Sequence, residues 1–196
     1  MIKKVQSIVC VTLFASISLV SCAKKTEKKE ANDSFVEALA MPDFRLATMQ
    51  DSTMVLSKDI PKEGLVVLKY FSPNCHHCKD EAKMYLSKMD SLRNIKTIWM
   101  SGDWAKLEYI QIFAEDYQIE QLNPIHIGKD VGSNLVLYFD FQTVPFAAVY
   151  KDNQLIKEYR GDLDFDELID MNYGRYTPQP KDSILKIRKQ FSIKKP

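Results

Sequence analysis

Strand-like apolar runs alternate with amphipathic stretches between residues 41 and 171. The run 65–71 is almost wholly apolar and predicts a buried strand. Residues 75–92 follow with helical periodicity and predict a helix. The apolar face of this helix comprises Ala82, Tyr85, Met89 and Leu92. The sequence therefore predicts a buried strand that is followed closely by a helix.

The same alternation continues after residue 92. The predicted strands span 95–100, 124–127, 146–150 and 155–159, and the last two are joined by a polar turn at 151–154. The predicted helices span 103–117, 130–138 and 165–171, capped by Asp103, by Asp130, and by Asp164 with Glu167. Strands and helices in this order predict one α/β domain over residues 41–172.

The N-terminal segment, residues 1–21, has the pattern of an export signal. Lys3 and Lys4 precede an apolar stretch that is too short for a comfortable membrane span. The sequence that ends at Cys22 resembles the lipobox of bacterial lipoproteins, which implies cleavage after Ser21 and lipidation of Cys22. The alternative is a plain secretory signal with a fortuitous cysteine.

Two further segments flank the domain. Residues 22–40 are rich in lysine and glutamate and predict a flexible tether, while 173–196 form a basic tail. Without Lys3 and Lys4 the 27 basic residues become 25, against 26 acidic ones. A net charge near −1 gives no reason to expect nucleic acid as a partner.

Cys75-His76-His77-Cys78 is the motif that carries chemistry. The other two cysteines, Cys10 and Cys22, lie in the N-terminal segment, so only this pair remains for the folded domain. Two cysteines with two residues between them can close a disulfide across one helical turn. The first would lie at a helix N-terminus, where the helix dipole favours the thiolate that attacks disulfides. The motif is therefore a candidate redox dithiol.

Three local sequences resemble the thioredoxin superfamily. They are the segment 71–78 after a buried strand, Thr143-Val144-Pro145 before the strand 146–150, and Met41-Pro42-Asp43-Phe44 followed by a polar turn at 50–52. The third resembles the TlpA/ResA-like, membrane-tethered subgroup, as does the predicted helix 103–117. The resemblance implies a thioredoxin-like fold: a central mixed sheet flanked by helices, with an N-terminal β-hairpin and an inserted helix.

The resemblance also implies roles at the site. Cys75 would attack a substrate disulfide and Cys78 would resolve the mixed disulfide, with no cofactor. Pro145 would be a cis-proline, and the backbone of Val144 would pair with an extended substrate. His77, and secondarily His76, would stabilise the Cys75 thiolate. Lys69 stands where many thioredoxins carry an acidic residue, and we expect it to point inward towards Cys78.

The implied partners are cysteine-containing exported proteins and a membrane redox partner. The expected protein is a monomer, held in the cell envelope by its lipid and facing the periplasm. The direction of electron flow stays open, because the histidines favour an oxidant whereas tethered relatives are often reductants.

Other functions fit parts of the sequence. The motif and His126 offer soft ligands for copper or zinc, although the cysteine spacing is shorter than in copper-delivery proteins of this fold. A peroxidase of the peroxiredoxin type would need a proline where Leu68 stands. A binding lipoprotein without enzymatic activity is the third alternative. For Trp99 and Trp104, core packing is the favoured interpretation, and a position at the border of the active site is the alternative.

Overall fold

The structure, a computed structural model, describes residues 39–49, 53–122 and 126–177. Seven strands of this described part form one mixed sheet in the order β2-β1-β5-β4-β3-β6-β7. Their bounds are β1 Arg45–Thr48, β2 Met54–Leu56, β3 Leu65–Phe71, β4 Lys96–Ser101, β5 His126–Asp130, β6 Phe146–Lys151 and β7 Gln154–Arg160. Strands β3, β4 and β5 run parallel, and all other neighbouring strands run antiparallel. The predicted mixed sheet and the N-terminal hairpin of β1 and β2 are confirmed.

Five α-helices accompany the sheet in the part of the chain that the structure describes. They are α1 His76–Ser87, α2 Met89–Leu92, α3 Leu107–Asp116, α4 Asn134–Phe139 and α5 Phe165–Asn172, with short 3-10 turns at Ser57–Asp59 and Ile119–Leu122. Helices α1, α3 and α5 share one apolar core with one face of β3. Helix α4 reaches the sheet through Phe139, whose ring lies 5.0 Å from Phe146 on β6. The described residues contain no helix with the length and hydropathy needed to cross a membrane.

Strand β3 is an interior strand of the sheet, between β4 and β6. Every one of its residues is buried. Because β3 pairs with β4 on one side and β6 on the other, Phe71 lies opposite Ser101 and Tyr70 lies opposite Phe146. The end of β3 therefore brings the segment 72–75 close to the loop after β4 and to the start of β6.

Two predicted helix boundaries are wrong. The predicted helix 75–92 is interrupted at Lys88, whose φ of −109° and ψ of 12° are not helical. The apolar residues Met89 and Leu92 continue the same helical pattern across the break, so the sequence does not reveal it. Asp103 does not cap the inserted helix, which begins at Leu107. Its carboxylate instead accepts the Gly132 N–H at 3.1 Å.

Other local predictions agree with the structure in part. The side chain of Asp164 caps α5 by accepting the N–H groups of Asp166 and Glu167. Asp130 is not the N-cap of α4, yet its buried carboxylate accepts the Leu135 N–H at 2.9 Å and so serves that helix. The predicted strand 124–127 begins at His126 in the described part of the chain. The signal, Cys22, most of the tether and the tail from 178 onward lie outside the described residues.

Candidate functional site: a dithiol at the start of helix α1

The dithiol lies where β3 passes into α1. Cys75 is the N-cap of α1, and its Sγ accepts the backbone N–H of Cys78 at 3.2 Å. This bond satisfies one of the orphan N–H groups of the first helical turn and places the sulfur at the positive end of the helix dipole. Both cysteines carry free thiols; Cys75 is partly exposed and Cys78 is buried. The two sulfurs therefore differ in access to a partner.

The segment before β6 lies against the first thiol. The peptide bond between Val144 and Pro145 is cis, as predicted. The Cys75 thiol lies 3.6 Å from the carbonyl oxygen of Val144 and can donate to it. The structure thus brings together Cys75, Cys78, Val144 and Pro145, although 66 residues or more separate the two pairs in the sequence.

Cys78 lies in an apolar environment. Burial raises the pKa of its thiol well above the ordinary value of 9.0, and the hydrogen bond with Cys75 acts in the same direction. The positive charge of Lys69 lowers the pKa of Cys78 but does not outweigh burial. Cys78 is therefore held as a neutral thiol in the reduced protein, with one cation near enough to favour its ionisation.

Lys69 points inward, as the sequence analysis expected. It is fully buried in β3, and its ammonium group donates to Glu81 Oε2 on α1. The other carboxylate oxygen, Oε1, accepts the Leu163 N–H at 2.6 Å. A buried charge is tolerated only when it is paired and hydrogen-bonded, and each end of this pair meets that condition.

Glu81 is one of the site residues that sequence reasoning missed. In the sequence it follows Lys79 and Asp80, so it looks like part of a solvated helix face. The spacing in the sequence does indicate a place near the site, because Glu81 lies three residues after Cys78 and shares its helix face. A lysine inside an otherwise apolar strand also requires a buried counter-charge.

The two histidines of the motif turn towards carboxylates. His77 Nδ1 lies 3.1 Å from Asp162 Oδ1, and His76 Nε2 lies 3.2 Å from Asp80 Oδ2. Both rings are largely exposed. The tuning of the Cys75 thiolate by these rings stays a prediction. Asp162, which faces His77 from the loop after β7, is a second residue that the sequence did not single out.

A short loop ties the parts of the site together. Gly161 N–H donates to the Pro145 carbonyl at 3.0 Å. The next two residues are Asp162, which contacts His77, and Leu163, which binds Glu81. We call residues 161–163 the site loop. Three consecutive residues thus contact the cis-proline segment, the motif and the buried carboxylate.

His126 lies apart from the dithiol. It stands at the start of β5 opposite Ile98, whereas Cys75 follows the far end of the parallel strands. Among the residues that the structure describes, no three His, Cys, Asp or Glu side chains are grouped so that they could hold a metal ion.

The ion pair predicts non-additive stability effects. Lys69→Met or Glu81→Gln alone should lower the free energy of unfolding by about 3–5 kcal/mol, because each leaves one buried charge unpaired. The double variant should lose less than either single variant, since no buried charge remains. Glutamine at position 81 keeps an acceptor for Leu163. Urea unfolding of the four proteins measures the coupling.

A matched control uses the exposed pair on the same helix. Asp80→Asn, which removes the partner of Lys83, should change the unfolding free energy little because surface pairs are screened by solvent. Equal losses for the buried and exposed carboxylates, or a double variant that loses the sum of the singles, would contradict the role of the pair.

The buried thiol predicts an unusual titration. In protein labelled with ¹³Cβ-cysteine and fully reduced, the Cys78 signal should keep its thiol chemical shift at pH 9.0, because burial raises its pKa above that value. A Cys78→Ser variant assigns the signal. Half-ionisation of Cys78 at or below pH 9.0 would show that burial does not control it.

Comparisons with known proteins bear on the fold. No protein-family model and no curated protein sequence matches this chain. A secreted disulfide oxidoreductase of Mycobacterium tuberculosis, described as homologous to E. coli DsbE, matches with a TM-score of 0.55 and 16% identity over 70% of this chain and 98% of its own. DsbF of the same organism matches with a TM-score of 0.54 and 17% identity over 71% and 97%.

A third structure agrees with these two. It is a thiol:disulfide interchange protein of the thioredoxin family from Chlorobium tepidum, with a TM-score of 0.54 and 12% identity over 70% of this chain and 95% of its own. At such identities the likeness concerns the architecture of the chain. The described residues have the thioredoxin-like fold, and the resemblance seen in the sequence is confirmed at that level.

Proposed function

We propose that this protein is a thiol-disulfide oxidoreductase that exchanges disulfides with exported proteins. The observation that carries the proposal is the placement of Cys75. Its sulfur lies at a helix N-terminus, accepts the Cys78 N–H at 3.2 Å and lies 3.6 Å from the Val144 carbonyl beside a cis-proline. The same fold occurs in the M. tuberculosis disulfide oxidoreductase and in the Chlorobium thiol:disulfide interchange protein, whose named activities are of this kind.

The first step follows from the access of Cys75. Its thiolate attacks one sulfur of a substrate disulfide, the substrate S–S bond breaks, and the other substrate sulfur leaves as a thiolate. The Cys78 N–H and the helix dipole stabilise negative charge on the Cys75 sulfur. In this proposal the backbone at Val144 pairs with an extended substrate segment. The product is a mixed disulfide between Cys75 and the substrate.

The second step needs Cys78 to ionise. Burial opposes this, and the ammonium group of Lys69 favours it. Glu81 holds Lys69 in place and is therefore a positioning residue. The Cys78 thiolate attacks the Cys75 sulfur and releases the substrate thiol. Over both steps the dithiol gives two electrons and two protons to the substrate disulfide, and the reverse sequence oxidises a substrate dithiol.

The setting of the reaction is proposed from the N-terminal sequence. A signal-like segment that ends at Cys22, followed by a tether, supports a lipoprotein held in the cell envelope and facing the periplasm. A membrane redox partner would then restore the dithiol or the disulfide between turnovers. The M. tuberculosis protein of the same fold is itself described as secreted.

Exchange activity tests the central proposal. We expect the Cys75–Cys78 pair to equilibrate with glutathione buffers, with the oxidised fraction read by alkylation and mass spectrometry. Cys75→Ser should abolish exchange, because the attacking sulfur is lost. Cys78→Ser should accumulate a mixed disulfide with glutathione on Cys75, because the resolving sulfur is lost.

Lys69→Met should slow release of the substrate thiol more than formation of the mixed disulfide, because Lys69 acts on Cys78. Lys83→Met, which changes an exposed lysine on α1, the helix that carries Cys78, serves as the control. A pair that never exchanges with glutathione, or a glutathione adduct that forms on Cys78 first, would overturn the mechanism.

Lipidation tests the proposed location. In cells fed a clickable fatty acid, the protein should carry the label and sediment with membranes, and Cys22→Ala should lose both properties. Cys10→Ala, a change of the other N-terminal cysteine, should retain the label. Label that persists in Cys22→Ala would place the acyl group elsewhere and refute the lipobox interpretation.

A further inference from the structure

Trp104 is an exposed aromatic side chain that the mechanism does not use. Core packing was the favoured interpretation of both tryptophans; it is correct for Trp99, which is fully buried, and wrong for Trp104, which is 58% exposed. A single exposed apolar side chain needs no explanation by itself. What distinguishes Trp104 is how firmly its ring is held and where it lies.

The ring of Trp104 lies directly against Gly102. A Cβ atom at Gly102 would lie 2.0 Å from a ring carbon of Trp104, so no larger residue fits there with the ring in place. The Trp104 ring also packs against the Tyr70 ring, with the ring centroids 6.0 Å apart and the ring planes at 53° to each other. One part of the indole is therefore fixed against the protein while the rest is open to solvent.

The residue that backs Trp104 is itself rigid. Tyr70 is fully buried in β3, and its ring lies 5.0 Å from that of Phe141. Phe141 in turn stacks on Phe146 at 4.3 Å, immediately after the cis-proline. The Tyr70 hydroxyl lies 3.4 Å from the buried carboxylate of Asp130. An unbroken series of rings thus leads from Trp104 to the Val144–Pro145 segment.

The loop that carries Trp104 is also anchored. Asp103 N–H donates to Ser133 Oγ at 3.1 Å, and the Asp103 carboxylate accepts the Gly132 N–H at 3.1 Å. Lys129 lies 3.4 Å from the same carboxylate. These contacts explain why Asp103 is not a helix cap. A side chain that is ordered before binding loses little entropy when a ligand packs on it.

The position of Trp104 follows from the strand register. Phe71 and Ser101 are paired at the ends of the parallel strands β3 and β4. Cys75 comes four residues after the first, and Trp104 comes three residues after the second. Both therefore leave the sheet at the same edge, the edge at which β6 begins with Phe146.

We propose that Trp104 forms an apolar wall of the substrate-binding surface and packs against a large apolar side chain next to the substrate cysteine. The inference rests on the proposed exchange function and adds the substrate class, a polypeptide segment whose cysteine has apolar neighbours. The exposed residues beside the thiol, Asn74, His76 and His77, are polar. Trp104 thus supplies the large apolar contact that the motif itself lacks.

The test compares two synthetic peptide disulfides that differ only in the residues flanking cysteine, phenylalanine in one and serine in the other. The full-length reduced protein should show a higher kcat/KM for the phenylalanine peptide, by about tenfold for one well-packed aromatic contact. Trp104→Ala should bring the ratio of the two kcat/KM values close to one. Trp104→Phe should keep part of the preference.

A matched control removes another exposed aromatic residue. Tyr109, on α3, is 47% exposed, and Tyr109→Ala should leave the ratio as in the unchanged protein. The ratio is the informative quantity, because general damage to the fold would slow both peptides alike.

The test distinguishes a failure of the inference about Trp104 from a failure of the proposed function. If the unchanged protein exchanges with both peptides at equal kcat/KM, or if Trp104→Ala keeps the full preference, the inference about Trp104 is wrong and the exchange function stands. If the unchanged protein exchanges with neither peptide nor with glutathione, the proposed function fails first.

Discussion

The buried ion pair between Lys69 and Glu81 is the constraint on which the arrangement of the site depends. A buried lysine in β3 cannot stay charged in an apolar core without a partner. The partner lies on α1, so the pair fixes the rotation of that helix against the sheet. Since Cys78 lies one turn earlier on the same helix, the rotation that satisfies Lys69 also buries Cys78. It leaves Cys75 at the exposed helix start.

This arrangement gives two chemically different thiols from one short motif. Cys75 has access to solvent and the N–H groups of a helix N-terminus, which suits a sulfur that attacks. Cys78 has burial, which raises its pKa, and one nearby ammonium group, which lowers it. Burial is the larger effect, so Cys78 is held as a neutral thiol in the reduced protein. In the proposed mechanism, burial therefore delays ionisation of Cys78, and the ammonium group of Lys69 favours the ionisation that the second step needs.

The sequence predicts the elements and the dithiol well, because both are local. Period-two and helical patterns reflect burial directly, and the 75–78 motif needs only its own helical turn. The features that the sequence predicts poorly depend on contacts between residues that are distant in the chain. Glu81 resembles a surface residue until β3 places Lys69 opposite it. Asp103 is a residue type that often caps helices, and Trp104 is a residue type that is usually buried. The structural role of each of these three residues depends on a contact with a residue distant in the sequence.

The site loop shows why such contacts govern the chemistry as well as the fold. Its three residues, 161–163, bind the Pro145 carbonyl, the His77 ring and the Glu81 carboxylate in succession. A shift of this loop would change the cis-proline segment, the charge beside the motif and the position of Lys69 together. Two of the three contacts use backbone N–H groups, which no side-chain pattern reveals. The motif therefore identifies where the thiols are, and the backbone of a loop about 85 residues later helps to determine how they differ.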